Sequence, residues 1–352
     1  MFYSLFKKFM KTSVLLVISF FIMFLLVIHS CKCRREQPQT NIPPKKEVEF
    51  KLNIQRFEKD LFAINIDSVS KYVPQLKAKY GEFFNIFNFK VVKLGSSDDS
   101  KYPNALKRFL TDYYMNQNYK RVIKVYPNID DLTQKLTAAF ARYKAYFPDK
   151  RVPRVYTFLS GWNQSIVTAD TILAIALDKY LGRKCDFYEK LQFDRYTRYT
   201  MQREYIVPDC LRDWGYTAFE FNDSANNVLN NMIYEGKILY FVKQMLPEAH
   251  DTLVFGFTPD QLKWCNNNAE QTWTYLVEHK LLFSTDFLTI HKLVYPAPFT
   301  SLFTQESPGR AVVWLGYMIV DAYMKSNKNV TLQQLMKNRD YQKVLRMSKF
   351  KP

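Results

Sequence analysis

Across residues 222–245 the side chains Val228, Met232, Glu235, Leu239 and Val242 step by four, three, four and three, so a carboxylate stands inside an apolar helical stripe. A carboxylate buried without a partner is costly, and Glu235 therefore calls for a cation, a metal ion or a proton. Gly236 follows at once, at about 1 kcal/mol of helix propensity, which predicts an element packed tightly on that turn. The competing reading is a helix rotated far enough for Glu235 to reach solvent. Upstream, Arg203 and Glu204 sit together in the run REYIV at 203–207. Arg203 is the candidate cation for Glu235. Glu204 and Glu235 are the acid/base candidates if the chain is a hydrolase.

Residues 232–237, MIYEGK, resemble the third-ligand helix of gluzincin-type metallopeptidases, in which a Glu followed by Gly completes a zinc site begun by HExxH. The chain has no HExxH, and beyond residue 31 its only histidines are His250, His279 and His291. REYIV keeps a Glu in the motif's second position but puts Arg203 and Val207 where imidazoles are needed. His279 and His291, twelve apart, lack ligand spacing. The expectation is no metal, no cofactor and a degenerate zincin-like fold in which an Arg203–Glu235 ion pair replaces the metal.

Residues 308–320, PGRAVVWLGYMIV, are similar to the closing helix of predicted HExxH peptidases of the same broad group. Read from the residues alone, Val313, Tyr317, Val320 and Met324 make one packing face, and Gly316 lets a second backbone approach. Tyr317 is expected as a buried tyrosine with one satisfied hydroxyl rather than as an oxyanion donor. Trp264 and Trp273, nine apart, point in different directions and read as two anchors rather than one stacking platform. No GxSxG, P-loop, dinucleotide fingerprint or calcium loop is present.

The elements that must position these residues are mostly helices. The expected fold is α+β, a predominantly helical single domain with a small antiparallel sheet. Residues 48–65 begin as a strand and turn helical, and Asp67 is the expected N-cap of a helix ending near Tyr80. Helices are expected at 103–118 and 129–146, the second with Leu132, Leu136, Ala139 and Tyr143 on one side, and a strand at 120–126 between them. Residues 152–159 and 171–177 read as two antiparallel strands separated by SGWN. Helical spacing returns at 222–245, 259–280, 308–325 and 332–347.

The N-terminus sets the compartment. Lys7, Lys8 and Lys11 precede an apolar run at 13–30 that stops at Ser30-Cys31, the layout of an export signal. Ile28-His29-Ser30-Cys31 resembles a lipobox, with His29 as its departure, so Cys31 is the expected lipidation site. The run is also close to the ~20 residues that span a bilayer, which leaves an uncleaved anchor as the alternative. The expected division is a signal peptide at 1–30, a polar tether at 31–47 carrying Pro43 and Pro44, and a globular domain at 48–352 outside the cytoplasm. A formal charge of +17 then meets anionic head groups and wall material. No basic stripe with interleaved aromatics points to nucleic acid. Cys33 lies on the tether, and Cys185, Cys210 and Cys265 allow one disulfide but no cystine framework.

Cys31 after its leader, RFEKDLF at 56–62, LDKYLG at 177–182, MIYEGKILY at 232–240 and the close SKFKP at 348–352 together resemble the gliding-motility lipoprotein B family of Bacteroidetes. Residues 90–101 match least. The resemblance implies a non-catalytic, lipid-anchored envelope protein of the gliding and type IX secretion machinery, with other envelope proteins of that machinery as partners. It implies periplasmic residence, and Lys32-Cys33-Arg34-Arg35 lacks the acidic cluster of a surface-export signal. The alternatives are an envelope peptidase or wall hydrolase, and a lipid- or wall-binding module using the basic surface.

Overall fold

A computed structural model describes residues 50–221 and 226–352. Cys31, the leader and the tether to residue 47 lie outside the described residues. The chain opens with strand β1 (Ile54–Arg56), which runs directly into helix α1 (Phe57–Phe62). Helices α2 (Val69–Tyr80) and α3 (Glu82–Ile86) follow, then a π-turn at Phe87–Val91. Ser68, not Asp67, stands at the N-cap of α2, without a side-chain bond, and Asn65 caps the short turn Ile66–Ser68 before it by accepting the Asp67 backbone N–H. The expected helix at 103–118 is two, α4 (Tyr102–Thr111) and α5 (Tyr113–Val125). Asp112 breaks the first with an extended backbone and caps the second by accepting the Met115 N–H, a use of Asp that favours a new start over continuation. Helix α5 therefore covers 120–125 of the segment 120–126, where a strand was expected, and buries Val122 on its inner face. Helix α6 (Asp130–Tyr146) buries the expected Leu132, Leu136, Ala139 and Tyr143 together with Phe140.

Strands β2 (Arg154–Phe158), β3 (Ile166–Ala169) and β4 (Ile172–Ala176) complete a four-stranded sheet of order β1-β2-β4-β3. The sheet is mixed, not antiparallel. β1 and β4 both run parallel to β2, and only the edge strand β3 is antiparallel to its neighbour β4. The two runs read as an antiparallel pair are therefore parallel partners, in register from Arg154 opposite Ile172 to Phe158 opposite Ala176. The physical reason is the intervening β3, which turns back through Asp170 and Thr171 and lets β4 re-enter beside β2 in the same direction.

After β4 come α7 (Asp186–Lys190), α8 (Arg195–Thr200), α9 (Ile206–Ala218) and α10 (Val228–Met245). Then follow α11 (Asp251–Phe255), α12 (Pro259–Asn267), α13 (Ala269–Glu278) and α14 (Phe287–Val294). The chain closes with α15 (Ala311–Ser326), α16 (Leu332–Lys337) and α17 (Tyr341–Ser348). The helices expected at 259–280 and 332–347 are each divided, at Asn268 and around Asn338–Asp340, where short polar residues take non-helical backbone.

Both faces of the sheet are covered. Tyr156, Phe158, Ile172, Ala174 and Ala176 pack with α1 to α4 around Phe57, whose ring meets Tyr80 at 4.8 Å and Phe87 at 4.8 Å, both edge-on. Val155, Leu173 and Ile175 face the larger core, built on α6, α9, α10 and α15. Helices α10 and α15 form its axis, and they cross backbone to backbone. A Cβ added at Gly236 would lie 2.3 Å from the Gly316 carbonyl carbon, and one at Gly316 would lie 1.9 Å from the Met232 oxygen. The close approach expected of both glycines is a single contact between them.

Candidate functional site

Helix α9 packs on β3 and β4 with one side and on α10 with the other, which places its polar residues between sheet and helix axis. Its sequence, IVPDCLRDWGYTA, buries Ile206, Val207, Cys210, Leu211 and Trp214. Asp209, Arg212, Asp213 and Tyr216 recur at helical spacing between them and line one polar seam. Asp209 accepts from Tyr180 Oη at 2.9 Å and from Arg212 Nη1 at 2.9 Å. Arg212 also donates to the Val254 carbonyl at 2.9 Å.

Glu235 supplies the next carboxylate. Its Oε2 accepts from Tyr216 Oη and from Arg310 Nη2, each at 2.7 Å. Arg310 occupies the N-cap position of α15 with a left-handed backbone, φ 56°. Gly309 beside it is wedged so closely on Ala297 that a Cβ would lie 1.9 Å from that carbonyl oxygen. The four charged side chains Asp209, Arg212, Glu235 and Arg310 keep only 15–17% of their surface, so their interactions run in a poorly screened environment.

Burial raises the Asp209 carboxyl above the ordinary carboxylate range, against the pull of Arg212 and Tyr180. Asp213 is pushed up to about 7, by burial first and then by the Asp209 and Glu235 carboxylates, with Arg212 opposing. No hydrogen bond or ion pair engages its carboxylate among the described residues. Tyr216 is raised by burial and by Glu235. The cluster thus holds two hydrogen-bonded carboxylates and one, Asp213, whose proton affinity is raised by burial and by its carboxylate neighbours.

The expected pair Arg203–Glu235 is not the one the structure holds. Arg203 lies on a turn before α9, donates to Asp131 (Nε to Oδ2, 3.1 Å) and stacks over the Tyr126 ring at 4.8 Å. Glu204 is exposed on the same turn and is not brought to Glu235. The cation for Glu235 is Arg310, which lies 75 residues further along the chain, so no local spacing could reveal it. Asp209 and Asp213 had a signal. They stand four apart on a helical face, the spacing that two imidazoles of a zinc helix use, but a search for histidines passes over them.

A zinc ion does not fit these residues. The donors are carboxylates, two of them held by guanidinium groups, and among the described residues no three His, Cys, Asp or Glu side chains stand close enough to hold a metal ion. His279 lies tilted against Tyr275 and His291 stacks on Tyr295. Tyr317 is half-buried and meets Phe255 edge-on at 4.9 Å. Cys185, Cys210 and Cys265 are all buried free thiols, so the one disulfide the sequence allowed within the domain is not formed.

The segments that carried the family resemblance have physical roles in the fold, and one of them reaches this cluster through Tyr180. In 56–62, fully buried Glu58 is held by Arg56 at 2.6 Å and by Thr157 at 2.7 Å, while Arg56 also donates to the Tyr126 carbonyl. In 177–182, Asp178 is fully buried and accepts the backbone N–H groups of Ser160 and Trp162 and an Asn118 amide N–H, fixing the β2–β3 loop. Tyr180 reaches from the same segment to Asp209. In 232–240, Lys237 is buried and donates to the carbonyls of Met336 and Asn338, closing the C-terminus of α16. Burial, with help from Arg339, pulls its ammonium down to about 7. In 348–352, Ser348 Oγ accepts the Phe350 N–H, and the Phe350 ring packs edge-on against Trp273.

No helix among the described residues is long and apolar enough to cross a membrane. No curated protein and no solved structure matches the chain. The family described as gliding motility protein GldB matches residues 38–352, a span that takes in every element described above. By that match the chain belongs to the gliding motility protein GldB family of lipoproteins.

Proposed function

We propose that this protein is a non-catalytic envelope lipoprotein that supports the gliding and type IX secretion machinery. Family membership implies the role in gliding motility; the secretion link and the absence of catalysis are the finer reading. On it, residues 1–30 are removed, Cys31 carries the lipid, residues 31–47 are the tether, and residues 48–352 face the periplasm among other proteins of the machinery. The observation that carries the non-catalytic reading is that Glu235 Oε2 accepts from both Arg310 and Tyr216. A carboxylate with two committed donors, one a cation, is neither a free ligand nor a free base. Asp209 and Asp213 at zinc-helix spacing and Glu235 on the next helix, with guanidinium groups beside them, suit a zincin-like site that has exchanged metal for arginine.

Depletion of the protein in its own host tests this, with cell movement on agar and secreted cargo as readouts. Loss of both, restored by Glu235→Gln and Asp213→Asn copies at normal abundance, is the expected result. A hydrolase reading is favoured by one observation, the unpaired Asp213 with its near-neutral proton. On that reading a folded, abundant Asp213→Asn protein fails to restore movement. A Cys31→Ala protein should also lose incorporation of a fatty-acid analogue, and equal labelling of the variant overturns the lipidation site.

A further inference from the structure

Five of the ten exposed large apolar side chains of the described residues lie on one stretch of chain, 277–295, while Phe89, Tyr113, Tyr114, Leu191 and Met347 lie elsewhere. Phe283, Phe287 and Leu288 keep 59%, 69% and 61% of their surface, and Val277 and Tyr295 keep 48% each. Helix α14 buries Ile290, Leu293 and Val294 against the core, yet its outward face carries Phe287, His291 and Tyr295 as a ladder of rings. Phe287 and His291 centroids lie 5.9 Å apart, and His291 and Tyr295 stack at 4.8 Å. The outward face mixes these rings and Leu288 with the exposed Lys292, and an apolar cluster left in water in this way marks a contact surface.

We infer that the 283–295 segment is a membrane-contact face, with Phe283, Phe287 and Leu288 entering the interfacial region of a lipid bilayer. Lys280 and Lys292 flank the tip and can keep their ammonium groups among the head groups while their stems lie along it. The inference rests on the lipid-anchor reading, because attachment near residue 31 holds the domain within about 60 Å of the bilayer even at full extension of the intervening chain. Local charge does not drive the contact. Glu278 and Asp286 balance the two lysines, and Asp286 is already engaged as the helix N-cap, accepting the Thr289 N–H and hydroxyl at 2.7 Å each. Insertion is therefore driven by apolar area and is weakly sensitive to salt, unlike adsorption of a basic surface.

The test uses the full-length lipidated chain with Cys33→Ser, so that a single Leu288→Cys takes an environment-sensitive fluorophore, with Lys71→Cys as the exposed control. The protein is reconstituted into phosphatidylethanolamine/phosphatidylglycerol vesicles, and flotation confirms attachment. A several-fold brighter, blue-shifted probe at 288, quenched by spin-labelled lipid, unchanged in high salt and absent at 71, is the expected result. Adding Phe283→Asp and Phe287→Asp should abolish it. Flotation with a water-like probe at 288 overturns the inference and leaves the anchor standing. Failure to float overturns the anchor and the inference with it. A shift that grows with protein density and ignores the lipid quencher assigns the face to a second copy.

Discussion

The two faces of the sheet are filled by different physics. Toward α1 to α4 the contents are rings: Phe57, Tyr80, Phe83, Phe84, Phe87, Tyr156 and Phe158, with Phe83 and Tyr156 stacked at 4.5 Å. Toward α9, α10 and α15 a larger apolar core surrounds Asp209, Arg212, Asp213, Glu235 and Arg310. The first side is stabilised mainly by area and edge-to-face contact, with a Tyr80–Asp60 hydrogen bond at its margin. The second is stable only while its charges are matched, because each partner left alone in that setting is a penalty. One side depends little on charge, and the other makes stability conditional.

The largest effect should come from the axis of the conditional side. Gly316→Ala forces a Cβ to within 1.9 Å of the Met232 oxygen, and a backbone neighbour cannot yield as a side chain would. Denaturant titration should show a loss of about 4 kcal/mol or no folded protein. A loss below about 1 kcal/mol would mean the helices do not cross on this glycine. Next, Phe57→Ala on the aromatic side should cost about 3–5 kcal/mol, equally at pH 5 and pH 8. Arg310→Met should cost about 3 kcal/mol, most of it recovered when Glu235→Leu is added, since removing both charges leaves neither stranded. Failure of the second change to restore stability would place the role of Arg310 in its backbone.

A smaller and oppositely directed effect belongs to Asp213. Its folded pKa near 7 lies above the unfolded value, so the native state holds the extra proton between about pH 4 and 7. Stability is therefore highest below the unfolded pKa and falls as pH rises through 7. Asp213→Asn removes that fall, and thermal melts should show it about 1–2 kcal/mol more stable than the parent at pH 8 with little difference at pH 4. The smallest effect should be at the exposed tip, where Phe287→Asp should alter unfolding in solution by less than about 0.5 kcal/mol while removing membrane contact.

The same contrast explains what the sequence made legible. Helix α6 could be read from Leu132, Leu136, Ala139 and Tyr143, because apolar area repeats with the helix period. Gly236 and Gly316 could be read because each removes a side chain where a helix would keep one. The sheet's direction could not, since β3, IVTA, is half-exposed along its whole length and presents no buried run. The 120–126 segment alternates like a strand, but the Asp112 cap fixes it as helix. The charge cluster was half legible. Glu235 and its need for a cation showed in the stripe, whereas Arg310 lies beyond any local pattern and Asp209 and Asp213 had carboxylates where only imidazoles were sought.

The glycine crossing has a mechanical consequence. Glu235 precedes one glycine of the pair, and Arg310 stands six residues before the other, so both ends of the ion pair are carried by helices joined through bare backbone. Side chains between helices act as compliant spacers, which swing between rotamers and absorb small displacements. At the crossing point the two glycines bring backbone directly onto backbone. A push on α15 should therefore pass to α10 with little damping at that point, making the joint stiff under load.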